Sequence, residues 1–148
     1  MGSALWGVAM ALSAASVLWH REWHLASEWH SVLLLYAAGG FLAFTPALWL
    51  ASLLEQVPRV EAGGRFAAGF VILGALTIAA TAFLFSQTFR FYFAQWHQPF
   101  GTLDRVLETV FTSAAAVYHF LVMGLTQFLP VGLPALLLFG LWRARQTR

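Results

Sequence analysis

"FAAGFVILGALTIAATAFLFSQTF", residues 66–89, contains no charged side chain and is bounded by Arg65 and Arg90. A helix rises about 1.5 Å per residue, so this stretch extends about 36 Å, enough to cross a hydrocarbon core of about 30 Å. It is apolar on every side and shows no alternation, which argues against a strand of a membrane barrel. Three further uncharged stretches flank it, Gly2 to Trp19, Ser31 to Leu54 and Thr109 to Trp142. The expectation is an all-α, polytopic membrane protein. Residues 1–148 would form a single integral membrane domain, a four-helix bundle with spans at about 2–19, 31–54, 66–89 and 109–142.

Composition agrees with that class. The chain is 60% hydrophobic and 9% charged, where soluble domains carry about 25% charged residues. No cysteine is present, so disulfides, thiolate metal sites and cysteine nucleophiles are excluded. All eight basic residues are arginine, but they form no basic run, so nucleic acid is not an expected partner. The first stretch lacks a basic leader, although "SAAS" at 13–16 resembles a cleavage site. It is read as a retained span.

Arginine distribution orients the spans. The N-terminus, Arg59, Arg65, Arg143, Arg145 and Arg148 fall on one side, and Arg21, Arg90 and Arg105 on the other. The richer side, holding both termini, is expected to be cytoplasmic in a bacterial inner membrane. "WHREWHLASEWH" (19–30) and Trp96-His97 would then share the periplasmic face, where tryptophan and histidine suit an aromatic belt.

Small residues recur every four positions at Gly7, Ala11 and Ala15, and again at Gly39, Ala43, Ala47 and Ala51. Such ridges let helix backbones approach closely, within the chain, in self-association or against another membrane subunit. The last stretch poses a length problem. Its 34 residues would make a helix of about 51 Å, needing a tilt beyond about 40° to fit. A break is expected at "FLPVGLP" (128–134), where Pro130 and Pro134 lack amide donors and Gly132 relaxes the backbone.

Several side chains are candidates for chemistry. On a continuing helix His20, His24 and Glu28 would share one face and, with His97 or His30 as a fourth ligand, present a zinc or copper set. His119, paired with His20 or His24, is the candidate axial ligand for a b-type haem. Its depth depends on where the last span begins, and a kinked helix with His119 in the periplasmic half is the preferred arrangement. Ala115 and His119 form an Ala-x-x-x-His spacing that resembles the pattern in light-harvesting polypeptides. That resemblance implies bacteriochlorophyll ligation by His119, although those polypeptides have one span. Gln87, Arg90, Tyr92, Trp96, Asp104 and Glu108 would form a polar, aromatic pocket for a quinone, a lipid headgroup or a neighbouring subunit.

No catalytic set is evident, and no specific cofactor can be assigned. The expected role is a non-catalytic subunit or assembly factor of a larger membrane complex. The alternatives are an electron-transfer subunit carrying haem b, quinone, Zn or Cu, and a small oligomeric channel or transporter component, since intramembrane ionisable groups mark ion paths and His119 is the one such group here.

Overall fold

The computed structural model describes residues 1–23, 27–54, 61–96, 99 and 101–146. The described chain is all-helical: α1 (Gly2–His20), α2 (Trp29–Leu54), α3 (Ala62–Ala94), α4 (Leu103–His119) and α5 (Gly132–Arg145). Four helical segments are long and apolar enough to cross a membrane, namely Gly2–His20, Trp29–Leu54, Ala62–Ala94 and Leu103–Phe128. This is the architecture of a multi-pass membrane bundle. Helix α3 extends the uncharged run at both ends, and its 33 residues measure about 50 Å.

Successive helices pack antiparallel. α1 lies on α2, α2 on α3, and α3 on both α4 and α5, while α1 also reaches α5 and the turn before it to close the bundle. Met1, Leu54, Ala62 and Arg145 therefore mark one end, and His20, Trp29, Ala94 and Leu103 the other. The core is built from Trp6, Met10, Ala14, Tyr36, Ala47 and Leu73.

Small residues set the crossings. A Cβ on Gly40 would lie 3.2 Å from the Gly7 Cα, so α1 and α2 meet glycine to glycine. All four members of the second ridge, Gly39, Ala43, Ala47 and Ala51, are buried. A Cβ on Gly39 would lie 2.9 Å from the Thr81 Cα on α3. The ridge thus serves contacts inside the chain, the first of the three uses its spacing allows.

Several buried polar groups are hydrogen-bonded, one pair across the bundle, as a low-dielectric interior favours. Trp6 Nε1 donates to Thr77 Oγ1 at 3.0 Å, and Thr77 donates in turn to the Leu73 carbonyl. Thr81 donates to the Thr77 carbonyl.

The fourth pass is broken, and the irregularity is longer than Pro130 alone would dictate. α4 ends at His119 and passes into a π-helical turn, Phe120–Gly124, then a 3₁₀ turn, Leu125–Phe128, before α5 begins at Gly132. The proline ring at position 130 obstructs the carbonyl four residues earlier, on Thr126; that carbonyl accepts from Leu129 N instead. Upstream, the Gly124 carbonyl accepts from Tyr36 Oη at 2.7 Å. Tyr36 packs on Phe128 with ring centroids 5.0 Å apart, so one side chain of α2 supports both irregular turns. Tyr36→Phe is expected to keep the fold and lower stability by about 1 kcal/mol, the net worth of one buried hydrogen bond. Thermal unfolding in detergent measures it, and an unchanged midpoint would show that Gly124 needs no donor.

Candidate functional site

Most of the chemically versatile side chains gather at the bundle end formed by His20, Trp29, Ala94 and Leu103. Helix α1 stops at His20, and Glu22 has φ of 60°, a left-handed conformation that ends the helical path. No helical face therefore continues from His20 to Glu28, contrary to the spacing argument. Glu28 instead precedes α2, where its carboxylate accepts from Ser31 Oγ at 3.1 Å. A negative group at a helix N-terminus is favourable there. Arg21 lies over the Trp23 ring, 5.4 Å from its centroid, and donates to Thr126 Oγ1 at 3.4 Å. The His30 and Trp29 rings pack at a tilt, with centroids 4.2 Å apart. His24 and His97 lie outside the described residues. Among the described residues, no group of three His, Asp or Glu side chains is placed to hold a metal ion.

His119 occupies the last position of α4 and is exposed. Its ring lies 5.7 Å from that of Phe89, the residue before Arg90, which places it beside the end of the uncharged run of α3. Nδ1 is 2.8 Å from the Ala115 carbonyl oxygen. A carbonyl can only accept, so the Nδ1 proton makes this bond, and Nε2 of the neutral ring keeps its lone pair. The contacts of His119 are with α3 and α4; α1, which carries His20, packs instead on α2, the 3₁₀ turn and α5. The described contacts do not bring the two histidines together.

A recess lies between the last turns of α3 and the first half of α4. Its volume is about 560 Å³, inside the range of about 300–1,000 Å³ typical of small-molecule sites. Gln87, Arg90, Phe91 and Ala94 line one wall at successive helical spacings, and Arg105, Thr109 and Thr112 line the other with Val106 and Val110. Thr102 starts α4 by accepting from Arg105 N at 3.2 Å, which fixes the register of that wall. Thr109 Oγ1 donates to the Arg105 carbonyl.

Of the six residues expected to form a polar pocket, Gln87 and Arg90 line this recess, whereas Tyr92, Trp96, Asp104 and Glu108 do not. The reason is helical phase. Residues 87, 90, 91 and 94 repeat at three and four, while Tyr92 is two positions from Arg90 and falls on another side. Asp104 precedes Arg105 by one and is rotated away by about 100°; Glu108, three positions from Arg105 and four from Thr112, stands near that side of α4 without being a lining residue. Tyr92 and Trp96 pack edge to face at 5.1 Å and are both exposed. Arg105, Thr109 and Thr112 were recoverable from their i, i+4, i+7 spacing.

The fold therefore defines a multi-pass helical bundle with a recess of mixed polar and apolar lining at an end of the third and fourth passes. Comparison of the chain with protein-family models, with curated proteins and with solved structures gave no significant match.

Proposed function

We propose that the protein is a small integral subunit or assembly factor of a larger bacterial inner-membrane complex, with both termini cytoplasmic and no catalytic step of its own. The observation that carries this reading is the outward side of α4. Leu103, Leu107, Val110, Ala114 and Val117, with Leu121 in the π-helical turn that follows, are exposed at alternating spacings of four and three, the period of a helix–helix seam. Unlike the earlier helices, which are apolar on all sides, α4 carries its larger exposed apolar residues on and beside this side, with Asp104, Arg105, Glu108, Thr109, Thr112 and Ser113 elsewhere on its circumference. Buried hydroxyl and indole groups of the bundle interior are engaged in structural hydrogen bonds. A partner transmembrane helix laid along the α4 seam fits these features.

Purification in mild detergent is expected to retain a stoichiometric partner subunit. Val117→Arg should release that partner and leave the unfolding midpoint of the released chain within a few degrees of the parent's, because Val117 is exposed. A native preparation containing only monomer would overturn the reading.

A second reading, an electron-transfer subunit, is favoured by one geometry: His119 is exposed, with its ring held through Nδ1 by the Ala115 carbonyl. A haem-loaded preparation would show a Soret band that disappears in His119→Ala. A colourless preparation would remove this reading.

A further inference from the structure

We propose that the break in the fourth pass holds a bound water molecule, which donates to the side-chain carbonyl of Gln127 inside the membrane-spanning part of the bundle. Gln127 lies in the 3₁₀ turn and is only 6% exposed. Its Oε1 is buried and has no hydrogen-bond partner among the described residues. Leaving an amide oxygen unserved in a low-dielectric interior is costly, so such groups are met by protein donors or by ordered water.

The main-chain carbonyl of the same residue has also lost its usual donors. A helical carbonyl accepts from the amide three, four or five residues later, in the 3₁₀, α and π patterns respectively. For Gln127 these are positions 130, 131 and 132. Pro130 has no N–H, and the amides of Val131 and Gly132 donate to Ser13 Oγ on α1. The break therefore carries an excess of acceptors at one buried residue, and a donor is what it requires.

Depth excludes bulk solvent as that donor. A Cβ on Gly74 would lie 3.0 Å from the Leu136 side chain, and the Phe85 and Phe120 rings pack with centroids 5.9 Å apart. Gln127 falls between Phe120 and Leu136 in the chain, and so beside the middle of the uncharged run 66–89, at hydrocarbon depth. Ordered water is one of the means by which interrupted membrane helices recover lost hydrogen bonds. A water molecule brings two O–H donors and no net charge. A cation would also attract oxygens, but the described carboxylates, Glu22, Glu28, Glu61, Asp104 and Glu108, lie at or beside helix ends or in the first two turns of α4, none of them in the break. Its charge would stand uncompensated there. The site uses neither the α4 seam nor His119, so its test bears on neither functional reading.

The test uses the full chain in micelles of an uncharged detergent. Relaxation dispersion of the water oxygen nucleus counts long-lived internal water, and exchanging serine or threonine protons do not contribute to it. Gln127→Met keeps the length of the side chain and removes its carbonyl, and it is expected to lower the dispersion amplitude by about one water molecule per chain. Gln95→Met, at an exposed position beyond α3, should leave the amplitude unchanged. An equal amplitude in Gln127→Met and the parent, or an equal loss in Gln95→Met, would overturn the proposal. A higher unfolding midpoint in sodium chloride than in choline chloride at the same ionic strength, lost in Gln127→Met, would assign a cation to the break and overturn the water. Should Gln127→Met fail to fold, the unsubstituted chain still decides. A dipolar cross-peak between water and the Gln127 side-chain NH₂ protons supports the site, and its absence overturns it.

Discussion

Gly39→Val is expected to abolish recovery of folded protein, or to leave a residue of material with a sharply lowered unfolding midpoint. A Cβ at position 39 would stand 2.9 Å from the Thr81 Cα, a backbone atom that no rotamer change can move. Relief requires α2 and α3 to separate, and Thr81 is tied into the interior: its hydroxyl donates to the Thr77 carbonyl, and Thr77 holds the Trp6 indole. The displacement would therefore reach α1 as well. Overpacking a well-filled core costs about 1–3 kcal/mol, and more where backbone must shift. Against a typical folding stability of about 5–15 kcal/mol, that is a large fraction. Gly63→Val supplies the control, since among the described residues no atom beyond its own helix backbone and chain neighbours lies within 4 Å of the Cβ it would carry. Size-exclusion yield and thermal unfolding of the two variants, side by side, decide the matter. If Gly39→Val unfolds at the parent's temperature, the close α2–α3 crossing is wrong.

Gly39 also marks how far the sequence alone could be taken. Its ridge is visible as a four-residue repeat, and helix ridges of that kind signal close approach. What the repeat lacks is any sign of whether the opposing surface belongs to the same chain. Thr81 answers that, and it lies 42 positions away with nothing local to indicate the pairing. Span lengths were legible for a related reason: hydrocarbon thickness imposes a local length on every crossing helix. The first three spans accordingly fall within a few residues of their expected bounds at almost every terminus, and α3 is longer because helix can continue through Arg65 and Arg90 into the headgroup region.

The fourth pass shows the opposite case. Pro130 and Pro134 announce a break through covalent structure alone, yet the departure from α-helix begins at Phe120, ten positions before Pro130. Nothing in "HFLVMGLTQF" requires a π turn. The turn is tolerated because Tyr36, 88 residues earlier in the chain, donates to the carbonyl at Gly124. In the recess, likewise, Gln87 and Arg90 were identifiable as polar residues at the end of an apolar run. Tyr92, Trp96 and Asp104 were grouped with them by nearness in sequence, whereas helical phase separates them. The metal reading assumed one helix through His20 and Glu28, and the left-handed Glu22 removes that path.

Ser13→Ala is expected to produce the second large loss, concentrated in α5. That helix starts at Val131 without a side-chain cap of its own. Four amides at a helix start ordinarily lack partners; Pro134 has no amide to satisfy, and the Ser13 hydroxyl on α1 accepts from Val131 N at 3.2 Å and from Gly132 N at 3.1 Å. One oxygen therefore serves two donors, and Ser13 is fully buried, so water cannot readily replace it. Removing a cap costs about 1 kcal/mol at an accessible terminus, and leaving buried donors unpaired costs about 1–3 kcal/mol each. A net loss of about 2–4 kcal/mol follows if the site cannot relax. Local readout separates this from general destabilisation. Amide exchange at Val131 and Gly132 should accelerate well before exchange in α2 or α3, because α5 would fray from its start while the α1–α2–α3 packing persists. The Arg143 side chain, packed over Gly69 near the far end of α5, provides an internal reference within the same helix. Uniform acceleration across all helices, or none at positions 131 and 132, would show that the α1 hydroxyl is not what starts the last helix.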